Sequence, residues 1–136
     1  MKKVKDMNGV VVKSSLIHGK GVFALRDFKK GEVVLRWNAK ELTKKEFEKL
    51  SKKEKRYVEF SEGKYLLMQS PERYVNHSCD ANTFARNLSD VAKRNIKKGE
   101  EITANYAETF APREKMECKC GSRKCREVIV SIASAK

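Results

Sequence analysis

The sequence is short of acid, short of breaks and free of long apolar runs. Asp and Glu number 18 against 31 Lys and Arg, a formal net charge of +13. Two prolines and seven glycines form no Pro-, Gly- or Ser-rich linker, so no domain boundary stands out. The 136 residues fit one compact domain with one modest core, not several. No apolar run reaches the roughly 18 residues of a membrane-spanning helix. No apolar segment follows the charged start at residues 1–6, so a secretory signal is not expected. Charged residues reach 36%, but 40% of the chain is hydrophobic and falls in organised blocks, which excludes disorder throughout.

The basic excess bounds the partners without choosing one. A pI of 9.7 favours contact with polyanions such as nucleic acid. The cations are spread along the chain: Lys2-Lys3, Lys29-Lys30, Lys44-Lys45, residues 52–56 and Lys97-Lys98. Such spacing also suits a plain solvated surface. Non-specific DNA contact and a merely soluble exterior both remain open.

The four cysteines are Cys79, Cys118, Cys120 and Cys125. Without a secretory signal, thiolates are expected rather than disulfides. Three of them sit in Cys118-Lys119-Cys120-Gly121-Ser122-Arg123-Lys124-Cys125, a spacing that suits thiolates wrapping one ion. A structural zinc site takes four tetrahedral ligands, and Cys79 is the only other cysteine. Lys119, Arg123 and Lys124 would help keep the thiolates ionised.

The β-branched run Val10-Val11-Val12, and Val33-Val34-Leu35 after a turn, read as strands. Phe28-Lys29-Lys30-Gly31-Glu32 returns as Ile96-Lys97-Lys98-Gly99-Glu100, one turn device used twice. Thr43 with Glu46 forms a plausible capping box for a helical stretch to about residue 60, which Ser51 breaks in two. Tyr65-Leu66-Leu67-Met68 and the apolar run 128–132 read as short strands. Residues 72–94 read as loop-rich, with one short strand at Val91-Ala92.

Three segments concentrate chemistry. Gly19-Lys20-Gly21 lets a backbone approach a ligand closely. Arg73-Tyr74-Val75-Asn76-His77-Ser78-Cys79-Asp80-Ala81-Asn82 is densely polar. Glu101-Ile102-Thr103-Ala104-Asn105-Tyr106 is a strand ending in tyrosine. Its Asn76-His77-Ser78 neighbour is a formal glycosylation sequon, as is Asn87-Leu88-Ser89; both are discounted without a secretory signal.

With the terminal Cys-x-Cys-x4-Cys, these segments in this order resemble a SET-domain protein-lysine N-methyltransferase with a post-SET zinc module. The resemblance runs from about Val10 to Arg126. It implies a mostly β chain with a short helical insert, a β-clip-like fold with a threaded, knot-like core and a C-terminal zinc-binding tail. The implied boundaries are a SET domain at 8–110 and a zinc module at 111–130. Gly19, Lys20 and Gly21 would hold S-adenosylmethionine through their backbone. Asn76 and His77 would contact it, Arg73 would support that segment, and Lys119 would touch it through its backbone. Tyr106 would be both the catalytic tyrosine and a cofactor neighbour. Cys79, Cys118, Cys120 and Cys125 would bind one structural zinc. The substrate would be a histone or another basic chromosomal protein. The site of action would be nuclear in a eukaryote or virus, cytoplasmic or nucleoid-associated in a prokaryote. No membrane partner is implied. The alternative is a non-catalytic, zinc-stabilised SET module that binds protein or DNA.

The implied chemistry is an in-line displacement, for which the protein must align the amine with the methyl group. It must also present a neutral amine, which a desolvated channel favours. The chain departs from the family pattern in places. Trp37-Asn38-Ala39-Lys40 stands where relatives carry an aromatic-x-Gly-Glu segment, and Trp37 reads equally as channel wall or core. Ala104 stands where relatives carry Phe or Tyr, with Phe84 a candidate replacement in the channel. Ala81 replaces a proline. A basic enzyme repels a basic substrate, so an acidic patch near the channel is expected, from Glu100, Glu101, Asp80 or Glu108.

Overall fold

The computed structural model describes residues 9–17, 19–61, 63–108, 115–118 and 122–130. These residues form short strands and two one-turn helices, distributed over four small sheets. The mostly β architecture with a short helical insert matches the expectation.

The valine run becomes β1 (Val10–Ser14), which hairpins antiparallel onto β2 (Lys20–Ala24) with Val12 opposite Val22. β10 (Glu101–Ala104) pairs antiparallel with the other edge of β2. β7, only Asn76–His77, pairs parallel with β10. This sheet places the glycine loop, the Asn-His pair and the strand leading to Tyr106 side by side. Val10, Val22 and Ile102 lose nearly all solvent contact, and with Phe28, Val34 and Ile96 form the main core.

A second sheet holds β3 (Val33–Arg36), β9 (Ser89–Ala92) and β8 (Thr83–Ala85), with β9 in the middle. β8 and β9 are joined through Asn87 and Leu88 at φ 49° and 55°. Two consecutive left-handed residues give the turn whose twist matches a two-residue hairpin. The sequence suggests only Val91-Ala92 here. β8 carries the strand-forming Thr83 and Phe84, while in β9 the low β-propensity of Asp90 is overridden by burial between paired neighbours.

The twin turns are two halves of one device. Gly31 and Gly99 both sit at φ +92°, a region open to glycine and strained for other residues. In each turn a glutamate caps its own loop: Glu32 Oε1 accepts from Lys29 N at 2.8 Å, Glu100 Oε1 from Lys97 N at 2.9 Å. The copies lie against each other as an antiparallel bridge, with Phe28 and Ile96 exchanging backbone hydrogen bonds of 2.8 Å.

The insert has its own sheet, β4 (Lys40–Leu42), β6 (Lys64–Leu67) and β5 (Val58–Ser61), and its own cluster of Leu42, Phe47 and Val58. Thr43 and Ser51 each cap a helix through a full capping box, α1 (Lys44–Glu48) and α2 (Lys52–Lys55). The division at Ser51 follows from that second cap. The tail contributes a hairpin of β11 (Lys115–Glu117) and β12 (Val128–Val130). Its fully buried Ile129 packs with Ala107, Cys118, Tyr106 and Cys79 in a third cluster. Residues 131–132 of the expected terminal strand lie outside the described residues.

Candidate active site

The glycine loop is clipped to β10 through buried polar contacts. Asn76 Nδ2 donates to Lys20 O at 2.8 Å and to Glu101 Oε2 at 2.9 Å. Ser15 Oγ donates to Glu101 Oε1 at 2.8 Å. A Cβ on Gly21 would collide with the Glu101 carboxylate, so this position must be glycine for Glu101 to reach Ser15 and Asn76. Gly19 is different: it is exposed at φ +28°, and nothing lies within 4 Å of where its Cβ would be. The backbone at 19–20 is thus rigidly held from behind and open in front. Asn82 makes a second clamp, donating from Nδ2 to Glu101 O at 2.8 Å and accepting from Thr103 N at 2.9 Å. Neither Ser15 nor Glu101 stands out in the sequence as a clip; the only signal is the second Glu after Gly99.

His77 and Tyr106 form the next layer. Tyr106 N–H donates to His77 Nδ1 at 3.0 Å, so that nitrogen carries the lone pair and the ring proton sits on Nε2. Burial, aided by the nearby Arg126 charge, lowers the His77 pKa to about 4 and keeps the ring neutral. Tyr106 Oη donates to Val75 O at 2.6 Å. Burial, with Glu59 and Asp90 close by, pushes the Tyr106 hydroxyl well above its ordinary pKa. The hydroxyl therefore stays protonated.

Tyr106 lines a small, partly enclosed pocket with room for about one water-sized group. Trp37, Val75, Ala85 and Ala104 also line it, together with four carboxylates: Glu59, Glu72, Asp90 and Glu108. Trp37 is thus a pocket wall. Phe84 is not among the lining residues; its neighbour Ala85 takes that place. Of the four acids expected near the channel only Glu108 is there. Glu101 serves the glycine loop, Glu100 caps its turn, and Asp80 lies 3.6 Å from Lys124 and 3.9 Å from Arg94. Glu72, Asp90 and Glu59 were not legible as site residues, since isolated acids carry no spacing signal.

Two of these acids are deeply buried. Glu72 is 3% exposed; its Oε2 accepts from Asn38 N at 2.8 Å and Gln69 N at 3.0 Å, while Oε1 has no partner. Asp90 is 4% exposed, and burial raises its pKa to about 7. The Trp37 indole N–H lies near enough to favour the ionised Asp90, yet it makes no hydrogen bond of ordinary length.

The cysteines gather behind Tyr106. Cys79 Sγ and Cys118 Sγ are 3.9 Å apart, close to the about 3.8 Å that tetrahedral Zn–S bonds of 2.3 Å require. Cys125 Sγ lies 3.5 Å from Cys118 O, in the same cluster. Arg126 N–H donates to Cys79 Sγ at 3.2 Å. His77 Nε2, Cys79 and Cys118 offer ligand atoms within 4.8 Å of one another. With its proton on Nε2, however, His77 donates to Cys79 Sγ at 3.4 Å and has no lone pair there for a metal. The donor set therefore fits a thiolate site with His77 orienting one ligand. Cys120 and Lys119 lie outside the described residues, as does His18.

Arg73 stands apart from the glycine loop: its guanidinium lies 4.0 Å from the centroid of the Tyr57 ring, on the insert. The Lys20 ammonium lies 5.3 Å from the centroid of the adjacent Tyr74 ring, so its side chain packs while its carbonyl serves Asn76.

Comparisons with known proteins agree with this geometry. Residues 19–107 match the family model described as the SET domain. The chain is 30% identical, over 92% of its length, to the histone-lysine N-methyltransferase trithorax of Drosophila virilis. It is 30% identical over 88% to the human histone-lysine N-methyltransferase 2D, and 33% identical over 90% to a variant-silencing SET domain-containing protein of Plasmodium falciparum. The chain spans only 4%, 2% and 6% of those proteins. A crystal structure of a candidate histone methyltransferase from Plasmodium falciparum superposes with a TM-score of 0.61 at 22% identity, covering 72% of this chain and 92% of that one.

Proposed function

Because the chain belongs to the SET-domain family, we propose that it is an S-adenosylmethionine-dependent protein-lysine N-methyltransferase acting on a histone or another basic chromosomal protein. The observation that carries this reading is Tyr106: its hydroxyl is locked on Val75 O at the edge of an acid-lined pocket, one strand away from an open, clipped glycine loop. S-adenosylmethionine, when bound, supplies a methyl group already activated by its sulfonium. The exposed backbone at Gly19 and Lys20 has the open space such a ligand needs. Gly21, Asn76 and Glu101 hold that loop in place from behind. His77 fixes the Tyr106 backbone, and Tyr106 orients the incoming amine. Lys119 would add a backbone contact to the cofactor, and Arg73 would brace its segment through Tyr57.

Cys79, Cys118, Cys125 and Cys120 would close on one zinc with no open position, so its role is structural. The zinc module at 111–130 would then be a clasp over the SET domain at 8–110. The 3.9 Å sulfur separation and the Arg126 N–H on Cys79 support this assignment. Action on chromatin, and a nuclear setting, would follow from the names of the relatives.

The test is transfer of labelled methyl groups to core histones. Tyr106→Phe should lower the rate by about a hundredfold, the usual cost of one oriented hydroxyl at a reacting centre, while cofactor binding persists. A fully active Tyr106→Phe would overturn the assigned role.

A further inference from the structure

The pocket beside Tyr106 holds more unmet acceptor capacity than aligning an amine requires. Glu72 Oε1 is buried without a donor on a side chain that is 3% exposed. Asp90, from the central strand β9, reaches the same pocket from another direction. Glu59 from β5 and Glu108 from the turn after β10 complete the acidic lining, and among the described residues no Lys or Arg lines it. A carboxylate buried this way is costly unless a donor or a cation reaches it. Glu72 Oε1 is therefore free to take an N–H group from a ligand that enters the pocket.

Taking the methyltransferase reading as premise, we propose that Asp90 and Glu72 are specificity-determining residues: they hold the N–H groups of an unmethylated or singly methylated lysine and discriminate against the trimethylated one. A primary ammonium offers three N–H donors; each methyl added removes one, and a trimethylammonium offers none. Cavities that prefer quaternary ammonium surround it with aromatic faces. Among the described residues only Trp37 and Tyr106 supply rings here, beside four carboxylates. Discrimination comes from donors, so the wild-type product should stop short of trimethyllysine.

Trp37 is the sole tryptophan and lines the pocket, which gives a direct probe. The whole protein, with and without S-adenosylhomocysteine, is titrated with butylammonium and with butyltrimethylammonium chloride at matched ionic strength, following Trp37 emission. Butylammonium should act at about tenfold lower concentration, the scale of one charge-assisted hydrogen bond. Asp90→Asn and, independently, Glu72→Gln should each erase most of that ratio. Equal responses to the two cations, or none in the wild type, overturn the proposal. Failure of methyl transfer with the ratio intact would sink the enzyme reading and leave the pocket preference standing. In the active enzyme, mass mapping of methylated histones should show mono- and dimethyllysine, with higher states appearing in Asp90→Asn. A trimethylated wild-type end product overturns the proposal.

Discussion

Gly21 and Asp90 show two ways in which a single residue is fixed by its neighbours. Gly21 is small because the Glu101 carboxylate occupies the space a Cβ would take. Asp90 is acidic in a place that disfavours acid, inside a strand whose four residues are all buried. Its cost can be read from pH. Burial raises its pKa from an ordinary 3.8 to about 7, so between those values the folded chain binds a proton that the unfolded chain has released. Its contribution to stability is complete below about pH 4 and is lost as pH rises through 7. Glu72 and Glu108 face the same pocket and add to the repulsion. Asp90→Asn should therefore melt higher than wild type at pH 8, and the difference should shrink as pH falls to 4. Thermal denaturation across that range checks it; a variant less stable at pH 8 would refute the cost.

At the scale of elements, the polar loop 78–82 and the tail hairpin turn separate strands into a site. Asn82 ties the loop to β10, and Cys79 at its start meets Cys118 and Cys125 from the tail. The hairpin brings Ile129 into full burial beside Tyr106, so the tail and the tyrosine share one small core. That core contains few apolar residues, and a metal would have to supply much of its stability. Freshly purified protein should carry one zinc per chain, and Cys118→Ser none, as measured by elemental analysis. Removing the metal should also weaken cofactor binding, since the tail packs on Tyr106. Unchanged affinity in verified metal-free protein would count against that coupling. The insert is separate, with its own sheet and cluster, and its capping boxes are local devices.

Across the whole molecule the charge is divided. The exterior is strongly basic, at +13 overall, while the pocket beside Tyr106 is lined by four carboxylates. A lysine-rich substrate is repelled at long range and attracted only at the pocket. The exposed lysines of the insert, including Lys44, Lys45, Lys49, Lys52 and Lys53, suit a polyanion better than a basic peptide. If DNA carries the substrate, methylation of a DNA-bound histone should fall by about tenfold or more between roughly 50 and 200 mM salt, as released counterions require. Methylation of a free histone peptide should change far less. Equal salt dependence would assign the cations to a plain solvated surface.

The family's individual motifs, the capped helices and the repeated turn are legible along the chain, because each rests on residues close together in it. Thr43 and Ser51 cap helices three residues away, and Gly31 and Gly99 each permit one local φ. The strand at 76–77 and the first half of 89–92 were hidden, because their polar side chains become strand only through partners far along the chain, Thr103 and Ala104 for the one and Leu35 and Arg36 for the other. The acids at the pocket were hidden for the same reason. Glu59, Glu72, Asp90 and Glu108 share no spacing, and the expected patch fell on neighbours that serve turns and clips instead. The folded chain alone selects which carboxylates meet beside Tyr106, because burial and charge proximity have no period along the sequence.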